Sequence, residues 1–139
     1  MMDLMDKCLK AGLRMTSQRV IIVQEINSAS DHPNVDTIYR RATEKDPSIS
    51  LATVYRTVGL LDKAGIIEKL EIGDGSSRYE MAREHHDHLL DIEDGTIHEF
   101  QNKVLEELKN KIADEMGFDL VSHRLELYGR KKIKAFVDK

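Results

Sequence analysis

Four of the six histidines, His85, His86, His88 and His98, fall in the stretch Arg83–Phe100, REHHDHLLDIEDGTIHEF, among Asp87, Asp91, Glu93, Asp94 and Glu99. Neutral imidazole suits divalent transition metals, and neighbouring carboxylates offset the charge such an ion brings. A solvated polar loop with scattered histidines is the alternative, since clustered charges usually face water. Three histidines within residues 85–88, followed at once by alternating apolar positions, favour a metal site. His32 stands alone beside Pro33, and by itself it reads as a solvated loop histidine. His123 shares an alternating apolar face with Val121, Leu125 and Leu127. That pattern favours a satisfied core histidine and leaves a ligand as the alternative.

These side chains have to be carried by regular elements. Met2–Gly12 reads as a short amphipathic helix with Leu4, Cys8, Leu9 and Ala11 inward and Gly12 as its stop. Thr16 is a suitable N-cap for a helix to Ser28, with Val20, Ile21, Val23 and Ile26 inward, ended by Asp31-His32-Pro33. Val35–Lys45 follows with Val35, Ile38, Tyr39 and Ala42 inward, and Asp46-Pro47 breaks it. Ser50 caps a fourth helix, Leu51–Ala64, whose buried stripe is Leu51, Val54, Val58 and Leu61. A second face of that helix carries Ala52, Tyr55, Arg56 and Gly59 at helical spacing. Small residues let a helix approach a flat surface, and Tyr and Arg can then reach base edges in a major groove. An ordinary solvated surface explains the same face equally well when it is taken alone. Ile66–Ile72 and Ser77–Met81 read as strands joined by Gly73-Asp74-Gly75-Ser76. Three helices, then a helix and a hairpin, is the order of a winged helix-turn-helix.

Residues 83–87 read as a hinge. Beyond it, His88–Ile92 and Thr96–Phe100 flank Asp94-Gly95, which predicts a two-residue type I′ turn. That turn sets Ile92 opposite Ile97, Asp91 opposite His98 and Leu90 opposite Glu99, and makes His88 and Glu99 diagonal neighbours within reach of one ion. Asp91 and His98 become a cross-strand pair on the other face. Asn102–Met116 is predicted as a helix with Val104, Leu105, Leu108, Ile112 and Met116 inward, and Asp119–Gly129 as a strand. The tail Arg130–Lys139 carries five Lys/Arg and one Asp. Three strands and one helix leave an apolar face and a sheet edge uncovered, which predicts a two-fold homodimer. The expected fold is therefore α+β, an N-terminal winged helix-turn-helix plus a C-terminal α/β dimerisation domain with an antiparallel sheet. The expected division is 1–82 for DNA binding, 83–87 as hinge and 88–139 for dimerisation and metal sensing.

Composition limits the possibilities. The chain has 139 residues and 40% hydrophobic content, enough for a packed core. No apolar run approaches the roughly 18 residues of a membrane span, and acids with Lys7 interrupt the start, so a cytoplasmic location without membrane association is expected. Cys8 is the one cysteine, which excludes an internal disulfide and any multi-cysteine zinc site. The net charge of −4 does not advertise nucleic-acid binding. Residues 1–82 hold 11 Lys/Arg against 12 Asp/Glu and residues 83–139 hold 10 against 13, so a DNA-binding face has to be a local patch.

Several segments in order resemble the ferric uptake regulator family: GLRMTSQR at Gly12–Arg19, SLATVYRT at Ser50–Thr57, HHDHL at His85–Leu89, IHEF at Ile97–Phe100 and HRLELYG at His123–Gly129. The resemblance spans about residues 8–129 and implies a dimeric repressor that binds a double-stranded DNA operator when loaded with a divalent metal. It implies a regulatory site of His32, Glu80, His86, His88 and Glu99, and a second site of His85, Asp87, Glu106 and His123. It implies Tyr55 and Arg56 at bases and Arg14 in a minor groove, with Arg19, Ala52 and Thr53 completing the DNA-contacting set.

The chain departs from many members in lacking their paired CxxC motifs. Asp91 and Asp94 stand at the first pair's positions, so no structural zinc held by four cysteines is expected. The resemblance is to the cysteine-poor branch, which implies control of iron or manganese homeostasis through Fe2+ or Mn2+, with Zn2+ able to occupy the sites after purification. The rival from another class is a small metal-dependent hydrolase using the His/Asp cluster. It would need an open metal position, a general base and a substrate pocket, and no phosphate loop, nucleophile elbow or HExxH occurs.

Overall fold

A computed structural model gives the fold of residues 4–71 and 76–133. The chain forms two compact units, Met1–Arg83 and Glu84–Lys139. Most of the predicted Gly73–Ser76 turn and the end of the basic tail lie outside the described residues. Among the described residues no helix is long and apolar enough to cross a membrane.

The first unit is built from α1 (Leu4–Lys10), α2 (Ser17–Ser28), α3 (Val35–Lys45), α4 (Leu51–Lys63), β1 (Ile67–Glu71) and β2 (Ser77–Met81). Three helices start on a polar cap that satisfies an otherwise unpaired amide. Thr16 accepts from the Arg19 amide at 3.2 Å, Asn34 from Thr37 at 2.9 Å and Ser50 from Thr53 at 3.1 Å. Ile22, Val23 and Ile26 of α2, Val35, Ile38 and Ala42 of α3, and Val54, Val58 and Leu61 of α4 close one core with Cys8, Ile49, Ile66, Ile67 and Tyr79. The inward face of α2 is turned toward Ile22, leaving Val20 and Ile21 half-buried. Leu51, expected in the buried stripe of α4, is 39% exposed because it opens the first turn before the helix reaches the core. β1 and β2 pair antiparallel, Ile67 opposite Met81 through Glu71 opposite Ser77. Cys8 is fully buried, and desolvation pushes its thiol pKa up, so it packs as a small hydrophobe.

The second unit holds β3 (Asp87–Asp91), β4 (Ile97–Phe100), α5 (Lys103–Glu115) and β5 (Glu126–Gly129). Its sheet has the order β4-β3-β5 and is mixed: β3 and β4 are antiparallel, but β5 joins β3 in parallel after the crossover through α5. The predicted strand Asp119–Gly129 is ordered as a strand only over Glu126–Gly129. The five-residue β3 offers no ladder for the residues before it, and Val121 is 94% exposed.

The predicted type I′ turn does not form. Asp91 folds its carboxylate back, Oδ1 accepting the Glu93 amide at 2.9 Å, while the Gly95 amide donates to the Asp91 carbonyl at 2.9 Å. Gly95 takes φ +78°, a conformation that favours glycine, and the connection consumes Ile92–Thr96. The register slides by two residues, so His88 lies directly opposite Glu99, and Leu89, in place of Asp91, faces His98. An even slip keeps every side chain on its expected face.

Candidate metal centres and nucleic-acid interface

Residues 85–88 point alternately to two sides, as an extended chain dictates. His85 and Asp87 turn toward α5. Glu106 comes from the first turn of α5 and His123 from the segment before β5. One ligand atom from each of these four lies within 4.8 Å of the others. His85 Nε2 is 3.0 Å from Asp87 Oδ1, and His123 Nε2 is 3.3 Å from Glu106 Oε1. The two imidazole rings stand 4.1 Å apart, centroid to centroid. Asp87 has no exposed side-chain surface. Asp87 Oδ2, Glu106 Oε2 and His123 Nε2 are buried without a hydrogen-bond partner. Buried polar atoms are almost always satisfied, so orphans on three of the four clustered side chains fit a cation, and two imidazoles with two carboxylates suit a divalent one. The apolar-core reading of His123 does not hold, because its ring lies against His85 and a carboxylate.

In the first unit His32 Nε2 is 3.0 Å from Glu80 Oε1, both residues being buried. His32 adopts φ +51°, uncommon for a residue with a Cβ and costing on the order of 1–3 kcal/mol. The surrounding bonds hold it there. Arg78 donates Nε to the His32 carbonyl at 2.6 Å and Nη2 to the Asp31 carbonyl at 2.7 Å, and Asp31 itself receives a two-point ion pair from Arg41. In the second unit His86 Nε2 is 3.6 Å from Glu99 Oε2, and the His86 and His88 rings meet edge to face at 4.7 Å. His98, Glu93 and Asp94 join no ligand group among the described residues. His98 Nε2 lies 3.3 Å from the Thr96 hydroxyl.

The outer face of α4 is open. Ala52, Tyr55, Arg56 and Gly59 are all exposed, Tyr55 at 57%. Thr53 is half-buried, its hydroxyl 2.9 Å from the capping Ser50 hydroxyl. Arg14 is exposed on the α1–α2 connector, and Arg19 donates Nη1 to the Arg14 carbonyl at 2.7 Å. Arg19 and Thr53 therefore have positioning contacts within the fold.

Two participants were not legible beforehand. Arg78 fixes the conformation of His32, a contact made 46 residues away in sequence. Lys109 reaches into the His85 cluster, 3.7 Å from Asp87 Oδ1 and 3.8 Å from Glu106 Oε2. Its position one turn after Glu106 was the available signal.

A winged helix with an exposed face on α4, followed in the chain by a unit whose buried residues are histidine and aspartate, fits the class of metal-responsive DNA-binding transcription regulators, which are not enzymes. The model of the ferric uptake regulator family matches residues 10–128, and the chain belongs to that family. A ferric uptake regulation protein of Rhizobium leguminosarum bv. viciae is 50% identical over 123 residues, covering 88% of this chain and 87% of that protein. The structure of a zinc-bound manganese uptake regulator matches with a TM-score of 0.75 and 48% identity, over 93% of this chain and 98% of the other. The structure of the ferric uptake regulator from Pseudomonas aeruginosa with manganese matches with a TM-score of 0.83 and 34% identity, over 95% and 100% of the two chains. The hydrolase reading is not supported.

Proposed function

We propose that this chain is a homodimeric repressor whose grip on a double-stranded DNA operator is switched on by Fe2+ or Mn2+, in a cytoplasmic setting without membrane association. The carrying observation is that each unit holds a buried imidazole beside a carboxylate: His32 with Glu80 in the first, His86 with Glu99 in the second. In this reading His32, Glu80, His86, His88 and Glu99 supply one regulatory ion, with residues 83–87 as the hinge it restrains. His85, Asp87, Glu106 and His123 hold a second ion. A bound divalent cation supplies positive charge that offsets the carboxylates. The relatives named for iron, manganese and zinc support metals of this class, and the absence of cysteine ligands favours Fe2+ or Mn2+ in the cell.

Arg56 and Tyr55 would read bases, Arg14 would enter a minor groove, and Ala52 would allow close approach, with Arg19 and Thr53 holding the connector and the helix start. Metal selects among conformations by binding one of them better, and a few kcal/mol of differential binding suffices. The dimer reading is supported by apolar side chains left open on α5 and β5, among them Val104 at 73%, Ile112 at 49% and Tyr128 at 52% exposure.

The test is operator binding by gel shift, titrated separately with Fe2+ and Mn2+ under anaerobic conditions and repeated in excess chelator. Metal-dependent retention that is lost in the His86→Ala, His88→Ala double variant is expected. Equal binding with and without chelator discards the reading.

A further inference from the structure

We propose that Lys109 is the resident counter-ion of the His85 cluster, and that a divalent cation enters by displacing its ammonium group. This rests on the reading of His85, Asp87, Glu106 and His123 as a metal site. Lys109 Nζ lies 3.7 Å from Asp87 Oδ1 and 3.8 Å from Glu106 Oε2, too far for hydrogen bonds, and it is buried with no hydrogen-bond partner. Its side chain is only 19% exposed, against 41% for His85. A buried ammonium without acceptors is costly, and among the described residues the carboxylates of Asp87 and Glu106 compensate it.

Charge balance shows what a metal must do there. Two carboxylates and one ammonium, with neutral imidazoles, sum to minus one. A dication added beside the ammonium brings the cluster to plus one, whereas a dication replacing it brings the cluster to zero. Cations about 4 Å apart in a shielded setting repel strongly, so the two do not share the cluster. The lysine stem is long and flexible enough to carry its head to water while the methylenes stay packed. The metal-free cluster is thus kept paired and folded, and its affinity for metal is lowered. Lys109 sets the metal concentration at which the second site fills.

The test uses the full chain and Mn2+. Lys109→Met keeps the stem and removes the charge; Lys109→Gln keeps polarity and removes the charge. Chelator competition resolves the affinity of the class of site that His123→Ala eliminates. Both Lys109 variants are expected to tighten that class by roughly tenfold or more, and both metal-free variants to melt earlier than wild type. Independently, acetylation by N-hydroxysuccinimidyl acetate, read by mass spectrometry against the exposed Lys63, should spare Lys109 without metal and modify it once Mn2+ is bound. Unchanged affinity in both variants, or labelling of Lys109 that does not rise on loading, overturns the exchange. If His123→Ala binds the same number of Mn2+ ions per chain as wild type, the cluster is not a metal site and the proposal falls with that reading.

Discussion

The two units keep opposite things inside. Every buried hydrophobic side chain among the described residues, from Cys8 to Tyr79, belongs to the first unit. The buried residues of the second are His86, Asp87, His88 and Asp91, while Leu108, Ile112, Met116 and Phe118 lie 49–69% exposed. The first unit removes apolar surface from water within its own chain, the dominant favourable term in folding. The second leaves that surface outside and places ionisable groups within, where they are costly unless paired or bound to an ion. One unit is completed by its own sequence. In the proposed reading the other is completed by what binds to it, a second copy outside and cations inside. A scaffold that presents a reading helix benefits from the first design, and a sensor from the second, since anything that binds only the folded form shifts its stability by mass action.

The sharpest challenge to this contrast is a cavity in each unit. Ile38→Ala in the first core should cost about 2–5 kcal/mol in denaturant unfolding. Leu108→Ala, made under conditions where the protein is monomeric, should cost far less; similar losses would erase the distinction. Ile112→Asp, which puts a charge on the apolar face, should weaken dimerisation by roughly a hundredfold, about 2.7 kcal/mol, in sedimentation experiments while the first unit stays folded. Saturating Mn2+ at about a hundred times its dissociation constant should stabilise the protein by about 2.7 kcal/mol. Hydrogen exchange should place that protection mainly in β3, β4 and α5, and protection centred on α2 to α4 would contradict it. Arg56→Ala should leave unfolding unchanged and cost about 1–3 kcal/mol of sequence-specific DNA binding, measured as the ratio of operator to random-sequence affinity.

The smallest effect concerns acid. The Thr96 hydroxyl and amide, with Lys131 nearby, hold the Asp94 carboxyl from an ordinary 3.8 down to about 2. A lowered folded-state pKa stabilises above the unfolded value and loses that stabilisation as pH falls through the folded one. Asp94→Asn should therefore flatten the part of the acid unfolding curve between these two values. A curve of unchanged steepness would show that the turn makes no contribution there.

Helix starts were legible because they are local. Thr16, Asn34, Ser50 and Asn102 each bind an amide three residues on, a contact available to any chain with that spacing. The exposed face of α4 was equally legible from its period, and the separation of His85 and Asp87 from His86 and His88 follows from strand alternation. The hairpin register was not, because Asp91 could satisfy the turn amides in a way that Asp94-Gly95 alone did not reveal. The short extent of β5 also depended on a partner strand.

By itself the sequence determined which residue types were available and which local periods and caps they form, because those depend on neighbours a few positions apart. Only the tertiary structure decided that His123 meets Glu106 and not an apolar core, that Arg78 holds His32 in its unusual conformation, and that Lys109 is lodged between two carboxylates. Each of these joins residues from separate elements. Its energy comes from the burial and charge that packing creates, which no short stretch of chain encodes.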